Sequence, residues 1–250
     1  METVFVTDAG RVRDHNEDTG GIFTNSVGEY LAVVADGMGG HQAGDVASDM
    51  VTNYLREAFE PIDKPFTPEQ AEEWLRQQIN TANKKIYETS LEQDKLAGMG
   101  TTVVTAVCTP SFAVIAHVGD SRAYHLSETE FQLKTEDHSL VNELKNNGQL
   151  TEEEAENHPR KNVLTRAIGT EEQIKSETMA MEWKVGEGIV LCSDGLTNKI
   201  SPTEIKKNVK ASSSLHECAR TLIHTANERG GEDNITLAII LHSPYNKEVE

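Results

Sequence analysis

The sequence has 250 residues, of which 37% are hydrophobic and 26% charged. This composition is typical of a globular chain with one sizeable core and excludes a disordered one. The formal net charge is −18, so we expect neither nucleic acid nor an anionic membrane as a partner. No apolar run reaches the ~20 residues of a membrane-spanning helix, and residues 1–8 lack the pattern of a secretion signal.

In chain order, short segments rich in Val and Ile predict buried strands, and stretches with helical period predict helices. The predicted strands are residues 4–7, 30–35, 101–108, 112–118, 189–192 and 235–241. The predicted helices are 46–59, a second from the capping box at 67–70 to about residue 86, a third after the capping signature at 201–204, and a last one around 215–226. Strands and helices are grouped rather than alternating, which favours an α+β architecture.

Residues 138–163 differ from the rest because they are polar, acidic and helical in pattern, with a capping box at Thr151 and Glu154. Strand-like segments flank them on both sides. We therefore interpret them as an insertion on the surface of a single domain that covers residues 1–242. Residues 243–250 are expected to be a frayed tail. The three cysteines have no metal-site spacing and are predicted to be buried thiols of a reducing compartment; they are Cys108, Cys192 and Cys218.

Four aspartates, each close to glycine, stand beside predicted strands: Asp36, Asp120, Asp194 and Asp233. One such site is most often a turn, but four beside central strands predict a shared rim where binding residues gather. Several carboxylates would then lie within a few ångströms, and two charges about 4 Å apart repel by roughly 4 kcal/mol at an effective dielectric near 20. Such a cluster needs protons or cations, and a set of oxygen ligands without His or Cys favours Mg²⁺ or Mn²⁺.

Residues 13–18 read Arg-Asp-His-Asn-Glu-Asp. They are either a charged surface loop or a site where the planar fork of Arg13 binds phosphate beside further carboxylates. Other routes of phosphate chemistry lack their motifs. No cysteine is followed by arginine six residues later, no two aspartates are two apart, and neither Gly-Lys nor H-E-x-x-H occurs. By elimination, the predicted nucleophile is water on a metal.

These motifs, in this order, resemble those of the PPM (type 2C) family of metal-dependent serine/threonine protein phosphatases, and its bacterial branch in particular. The motifs that carry the resemblance are Arg13-x-x-Asn16-Glu17-Asp18, Asp36-Gly37-Met38-Gly39-Gly40-His41, Gly98-Met99-Gly100-Thr101-Thr102, Val118-Gly119-Asp120-Ser121-Arg122, Asp137-His138-Ser139, Ser193-Asp194-Gly195 and Glu232-Asp233-Asn234. Each is weak alone, whereas the ordered set along nearly the whole chain is specific.

The resemblance implies a fold and a set of ligands. The fold is a four-layer α-β-β-α sandwich of two antiparallel sheets flanked by helices, with residues 138–163 as a flap beside the site. The cofactors are two or three Mn²⁺ or Mg²⁺ ions per chain. Asp36 is implied to bridge two of them, and Asp120 with Asp194 to hold the third. The full set of implied ligands is Asp36, the Gly37 carbonyl, Asp120, Asp194 and Asp233.

The remaining implied roles surround these ions. The catalytic residues are Asp36 and Arg13, which holds the substrate phosphate. Glu17 and Asp18 would bind metal-bound waters, and Asn234 would lie with them in the second shell. Met38 stands where animal members carry the His proposed as general acid, which leaves His41 as a possible acid in this chain.

The implied activity is hydrolysis of phosphoserine and phosphothreonine in proteins by in-line attack of a metal-bridging hydroxide, without a phosphoenzyme. The implied partners are phosphorylated proteins, including a cognate bacterial serine/threonine kinase, and the enzyme is expected to be a cytoplasmic monomer. Two other functions stay open. One is a non-catalytic module that binds phosphoproteins, and the other is a phosphatase dedicated to an anti-sigma-factor antagonist.

Overall fold

The structure is a computed structural model that describes residues 1–39 and 43–243, apart from the side chain of Glu156. His41 and nearly all of the predicted tail lie outside the described residues. The strands are β1 (Glu2–Asp8), β2 (Asp18–Thr24), β3 (Tyr30–Met38), β4 (Gly100–Thr101), β5 (Val103–Cys108), β6 (Phe112–Val118), β7 (Arg122–Leu126), β8 (Phe131–Leu133), β9 (Glu177–Glu182), β10 (Gly188–Cys192) and β11 (Ile235–Leu241). The helices are α1 (Ala43–Phe59), α2 (Pro68–Glu92), α3 (Leu140–Asn146), α4 (Glu152–Glu156), α5 (Asp194–Thr197), α6 (Pro202–Ala211) and α7 (Leu215–Glu228).

The strands form two antiparallel sheets. One has the order β1-β11-β10-β7-β8, and the other has the order β2-β3-β5-β6-β9, with the short strand β4 paired to β3. β3 and β6 run in the same direction because both are antiparallel to β5. In the other sheet, β10 ends where its antiparallel neighbour β11 begins. Four positions therefore lie at strand ends that can share one rim. They are the end of β3, the residues after β6, the residues after β10 and the residues before β11.

Three apolar layers alternate with the secondary structure. Alternate residues of one strand point to opposite faces of its sheet, so Leu31 and Val33 of β3 pack under α1 and α2, whereas Ala32 and Val34 face the other sheet. In β10, Val190 packs against the helices of the second sheet. These strands carry unbroken runs of apolar residues because both of their faces are covered. The four-layer α-β-β-α sandwich is thus confirmed.

Three helices begin at the capping boxes that the sequence predicts, whereas α1 begins three residues before the predicted residue 46 and α5 was not predicted. Thr67 accepts a hydrogen bond from the amide of Gln70, whose side chain returns to the Thr67 amide, and Pro68 is the first residue of α2. The same reciprocal box opens α6 at Ser201 and α4 at Thr151. Each box satisfies two of the amide donors that a helix start leaves without partners. No helix among the described residues is long and apolar enough to cross a membrane.

The sequence analysis did not predict four of the strands: β2, β7, β8 and β9. β2 reads Asp-Thr-Gly-Gly-Ile-Phe-Thr, and its two glycines disfavour a strand by propensity. At Gly20, however, a Cβ atom would lie 2.3 Å from the carbonyl oxygen of Val33, so only glycine permits this approach to β3. The predicted strand 101–108 was wrong as a single element, because Thr102 interrupts it between β4 and β5.

Residues 138–163 carry two short helices, α3 and α4, and their ends lie close together. The amide of Leu140 donates to the carbonyl of Val163 (2.8 Å). Ser139 also forms an isolated bridge with Leu164. The segment thus leaves and returns at nearly the same point, as expected for an insertion.

The three cysteines are free and buried, as predicted.

Candidate metal centre

A cavity of about 470 Å³ lies at the rim where the two sheets meet. Most of the residues singled out from the sequence line it. Its lining comprises Arg13, Asp14, His15, Glu17, Asp36, Gly37, Met38, Gly39, Thr102, Asp120, Asn162, Leu164, Asp194, Asp233 and Asn234. The four aspartates, separated by up to about two hundred residues in the chain, therefore meet around one space. Asp18 belongs to the same cluster but lies behind the lining, buried on β2.

Asp36 is held by the backbone of its strand. It lies inside β3 rather than beyond the strand's end, because β3 continues to Met38 by pairing with β4. The amide of Asp36 donates to Oγ1 of Thr102 (3.0 Å), and the amide of Thr102 donates to the Asp36 carbonyl (2.8 Å). A further hydrogen bond of 2.8 Å joins Thr102 Oγ1 to Ser121 Oγ, next to Asp120. These contacts fix two of the aspartates relative to each other.

Gly37 is a glycine because the chain is crowded there. A Cβ atom at this position would lie 2.1 Å from the carbonyl oxygen of Gly44 and 2.6 Å from that of Glu17. The amide of Gly37 donates to the same Glu17 carbonyl (3.1 Å). The start of α1 and the end of the 9–17 loop thereby pack directly against the strand that carries Asp36.

Asp194 and Asp18 each keep one carboxylate oxygen without a hydrogen-bond partner. Asp194 opens α5 directly after β10, and its Oδ2 accepts from Asn198 (3.0 Å). Asp18 accepts from the Ser193 hydroxyl at 2.7 Å. The other oxygen of each carboxylate, Oδ1, is buried and lacks a partner in the described part of the chain. A buried carboxylate oxygen without a donor is costly unless a proton or a cation lies against it.

Arg13 and Asp233 contact each other across the mouth of the cavity. Nη2 of Arg13 lies 3.0 Å from both carboxylate oxygens of Asp233. The side chains are 52% and 33% exposed, respectively, so the pair contributes at most about 1 kcal/mol to stability. Either partner can therefore leave the other at small cost.

Asn234 holds the loop that carries Arg13 and Glu17. Its Oδ1 accepts from the amide of Glu17 (2.8 Å), and its Nδ2 donates to the carbonyls of Ala9 and His15, both at 2.9 Å. All three contacts go to the backbone of the 9–17 loop. The side chain of Asn234 is therefore engaged in positioning that loop against β11.

The pKa values of the clustered carboxyls are raised, chiefly by burial and then by neighbouring negative charge. Burial, and after it the charges of Asp18 and Asp194, raise the pKa of Asp36 well above its ordinary value. Burial followed by the charge of Asp194 raises the pKa of Asp120 to about 7. Burial raises the pKa of Asp18 to about 7, and burial with Asp233 raises that of Asp194.

The donor set suits hard divalent cations. It consists of carboxylate oxygens with a nearby carbonyl and contains no His or Cys, which is the ligand type preferred by Mg²⁺ and Mn²⁺. The expected spacing of a few ångströms is nevertheless wrong for any three of the aspartates. In residues 1–39 and 43–243, no three of their oxygens all lie within 4.8 Å of one another.

Sequence reasoning singled out the four aspartates that line the cavity and missed the residues that support them. Thr102 and Ser193 contact Asp36 and Asp18 through their hydroxyl groups, and Ser121 supports Thr102. Asn162 of the 138–163 segment and the adjacent Leu164 line the cavity. Thr102 and Ser193 stand in motifs quoted for the resemblance, which was the available signal. Asn162 had none. A two-sheet sandwich with an acidic, oxygen-lined cavity at one rim is an arrangement suited to binding divalent cations.

Comparison with known proteins identifies the family. The family model for protein phosphatase 2C matches residues 9–236. The chain is 46% identical over 240 residues to the serine/threonine phosphatase stp of Listeria welshimeri, covering 96% of this chain and 95% of the relative. It superposes on the crystal structure of serine/threonine phosphatase Stp1 from Staphylococcus aureus with a TM-score of 0.92 and 38% identity, covering 97% and 95% of the two chains. The chain belongs to the protein phosphatase 2C family.

One further structure bears on the cofactor. The catalytic domain of the serine/threonine protein phosphatase PstP was solved in complex with two manganese ions. It matches this chain with a TM-score of 0.83 and 30% identity, covering 95% of this chain and 96% of that one. Divalent metal use is thus a property of this fold family.

Proposed function

We propose that this chain hydrolyses phosphoserine and phosphothreonine in proteins with water activated by divalent cations. As a member of the protein phosphatase 2C family it is a serine/threonine protein phosphatase. The observation that carries the proposal is the convergence of Asp36, Asp120, Asp194 and Asp233 on one cavity. Burial and neighbouring charge raise the pKa values of the first three.

The proposed ligands are the carboxylates of Asp36, Asp194 and Asp233 with the Gly37 carbonyl for two ions, and Asp120 with Asp194 for a third. Mn²⁺ is proposed over Mg²⁺ because a related structure contains two manganese ions. When bound, such cations lower the pKa of coordinated water toward neutrality and offset the charge of the phosphoryl oxygens. The partnerless oxygens of Asp18 and Asp194 fit this role, since they face the cluster without a donor.

The chain's own residues orient the substrate. Arg13 stands at the mouth of the cavity in an exposed ion pair, so its guanidinium can exchange Asp233 for a substrate phosphate at small cost. Asn234 keeps the loop of Arg13 and Glu17 in place through three hydrogen bonds. Thr102 keeps the carboxylate of Asp36 at a fixed position relative to the Asp120 turn. Together these contacts pre-organise the site for attack on one phosphate.

We further propose a single domain over residues 1–242, with residues 138–163 as a flap. The proximity of Asn162 and Leu164 to the aspartates supports that placement. The proposed partners are phosphorylated proteins, including a cognate serine/threonine kinase. The enzyme is proposed to act as a monomer in the cytoplasm, which suits three free, buried thiols.

The test compares hydrolysis of p-nitrophenyl phosphate and of a phosphothreonine peptide with Mn²⁺, and then with EDTA. We expect turnover only with the metal, and no turnover in Asp36→Asn or Asp194→Asn. Asp49→Asn on the exposed face of α1 is the matched control and should keep full activity. Unchanged cleavage after complete chelation, or near-normal rates in both site variants, would refute the proposal. Tight binding of the phosphopeptide without hydrolysis would identify a non-catalytic phosphoprotein module instead.

A further inference from the structure

Two buried histidines and a partly exposed glutamate lie together near the Gly119–Asp120 turn, outside the lining of the cavity. His117 on β6 and His138 stack with ring centroids 4.6 Å apart and planes 22° apart. Both are almost inaccessible to solvent. His138 Nε2 lies 3.2 Å from Glu177 Oε1 at the start of β9. Among the described residues, this is the group whose three potential ligand atoms all lie within 4.8 Å.

The hydrogen bonds of this group argue against a transition-metal site. The amide of Gly119 donates to His138 Nδ1 (3.1 Å), so Nδ1 must carry a lone pair and the proton of the neutral ring is on Nε2. A metal on Nε2 would displace that proton to Nδ1, where it would face the Gly119 N–H. The ring is therefore built to accept from Gly119, with its other nitrogen facing Glu177.

His138 holds the Gly119 residue at both of its backbone polar groups. Besides the contact of its ring with the Gly119 amide, its own amide donates to the Gly119 carbonyl (3.0 Å). Gly119 adopts φ +108°, and a Cβ atom there would lie 2.6 Å from Thr102. The turn is thus fixed in a conformation that few residues adopt. The next residue is Asp120, a proposed ligand of the third cation.

The groups around His138 have fixed partners of their own, although His138 Nε2 lacks a hydrogen-bond partner in the described part of the chain. Glu177 is contacted by Arg166 at 3.2 Å, and the carbonyl of His138 accepts from the amide of Thr165 (2.8 Å). Burial, and then the neighbouring His117 and Arg166, lower the pKa of His138 to about 4. The ring therefore stays neutral near neutral pH and keeps its lone pair on Nδ1.

We infer that His138 is a positioning residue that sets the orientation of the Gly119–Asp120 turn, and through Asp120 the affinity for the third cation. It acts through the Gly119 amide and touches neither substrate nor cation. The part that concerns the cation rests on the proposed function, whereas the part that concerns the turn does not.

Two substitutions distinguish the roles of the two ring nitrogens of His138. His138→Asn keeps an acceptor at the position of Nδ1, and His138→Gln keeps a donor at the position of Nε2 but leaves the Gly119 amide without an acceptor. The readouts are the hydrogen-exchange rate of the Gly119 amide, followed by NMR in the metal-free protein, and Mn²⁺ binding by calorimetry. Neither readout needs catalysis, so a chain that fails to hydrolyse phosphoesters would still test this inference.

For His138→Gln we expect faster Gly119 exchange and a third Mn²⁺ site weakened roughly 10- to 100-fold, with the tighter sites unchanged. For His138→Asn we expect both readouts close to those of the parent protein. His125→Gln is the matched control, since His125 forms a similar pair with Glu187 (3.1 Å) beside the start of β10, away from Asp194. It should change neither readout.

If His138→Gln behaves like the parent protein and His138→Asn is impaired, the inference is overturned. That result would show that the Nε2 side of the ring, which faces Glu177, is the side that matters. Equal and unchanged values in both variants would overturn it as well. If His138→Gln does not fold, His138→Ala replaces it, because it also leaves the Gly119 amide without its side-chain acceptor. Slower or unchanged exchange of the Gly119 amide in that variant would also count against the inference.

Discussion

Asp18 offers a direct measure of what the buried carboxylates cost the metal-free protein. Burial raises its pKa from 3.8 to about 7. In the unfolded chain the group ionises near pH 4, so between about pH 4 and 7 the folded state binds more protons than the unfolded state. Stability is therefore lost as the pH rises through this window. A pKa difference of about 3 corresponds to roughly 4 kcal/mol at pH values above 7.

The perturbation is Asp18→Asn, which removes the charge while an amide oxygen can still accept from Ser193. We expect the EDTA-treated variant to be up to roughly 4 kcal/mol more stable than the parent protein near pH 8. Near pH 5.5 the advantage should shrink by about 2 kcal/mol, or roughly 4–8 °C in Tm for a chain of this size. The other buried aspartates titrate in both proteins, so only the difference between the two is diagnostic.

The assay is thermal or urea unfolding of both proteins in EDTA across this pH range. Asp49→Asn, the same change at an exposed position of α1, is the control and should shift stability by no more than about 0.5 kcal/mol. Parallel pH curves for the parent protein and Asp18→Asn would show that the Asp18 carboxyl is not perturbed by burial. That result would refute the reasoning applied to the whole cluster.

Three further predictions follow from the site. Arg13→Ala should raise KM for a phosphopeptide by roughly tenfold with a smaller effect on kcat, measured by steady-state kinetics, and should change stability by less than about 1 kcal/mol because its ion pair with Asp233 is exposed. Gly37→Ala should destabilise the protein by about 1–3 kcal/mol or more in urea unfolding, since its Cβ would overlap the Gly44 carbonyl. Saturating Mn²⁺ should raise the free energy of unfolding by about 2.7 kcal/mol at a hundredfold excess over Kd, and EDTA should reverse the gain; a Tm independent of metal would contradict the proposed ligands.

The sequence predicted the parts of the fold that are buried on both faces. β3, β6, β10 and β11 read as runs of Val and Ile because each is covered by helices on one side and by the other sheet on the second. The sequences of β2 and β9 lack such runs of Val and Ile. β9 is an edge strand whose Met179 is exposed, and β2 owes its extended form to pairing with β3 rather than to its own composition. Tertiary pairing determines such strands, and it leaves little trace in local sequence.

The candidate site was likewise predictable from the sequence only in part. Aspartates beside glycine at the ends of apolar runs could be recognised because their spacing relates to strand ends, and the structure brings all four to one cavity. Thr102 and Ser193 lie in motifs that carry the resemblance, but the hydrogen bonds of their hydroxyl groups could not be predicted, since a buried hydroxyl and an exposed one look alike in sequence. The pairing of Arg13 with Asp233 joins residues 220 positions apart and depends on the final packing of the loop.

The local arrangement, and not the overall acidity, explains why this fold needs cations. Two divalent ions would supply four positive charges against a formal net charge of −18, and exposed charges are screened by salt within about 8–10 Å. The buried carboxyls are different, because burial is the first cause of each raised pKa and neighbouring charge comes after it. A cation placed among them relieves both effects at once. The apolar layers on either side of the two sheets supply the stability that offsets the cost of these buried carboxyls.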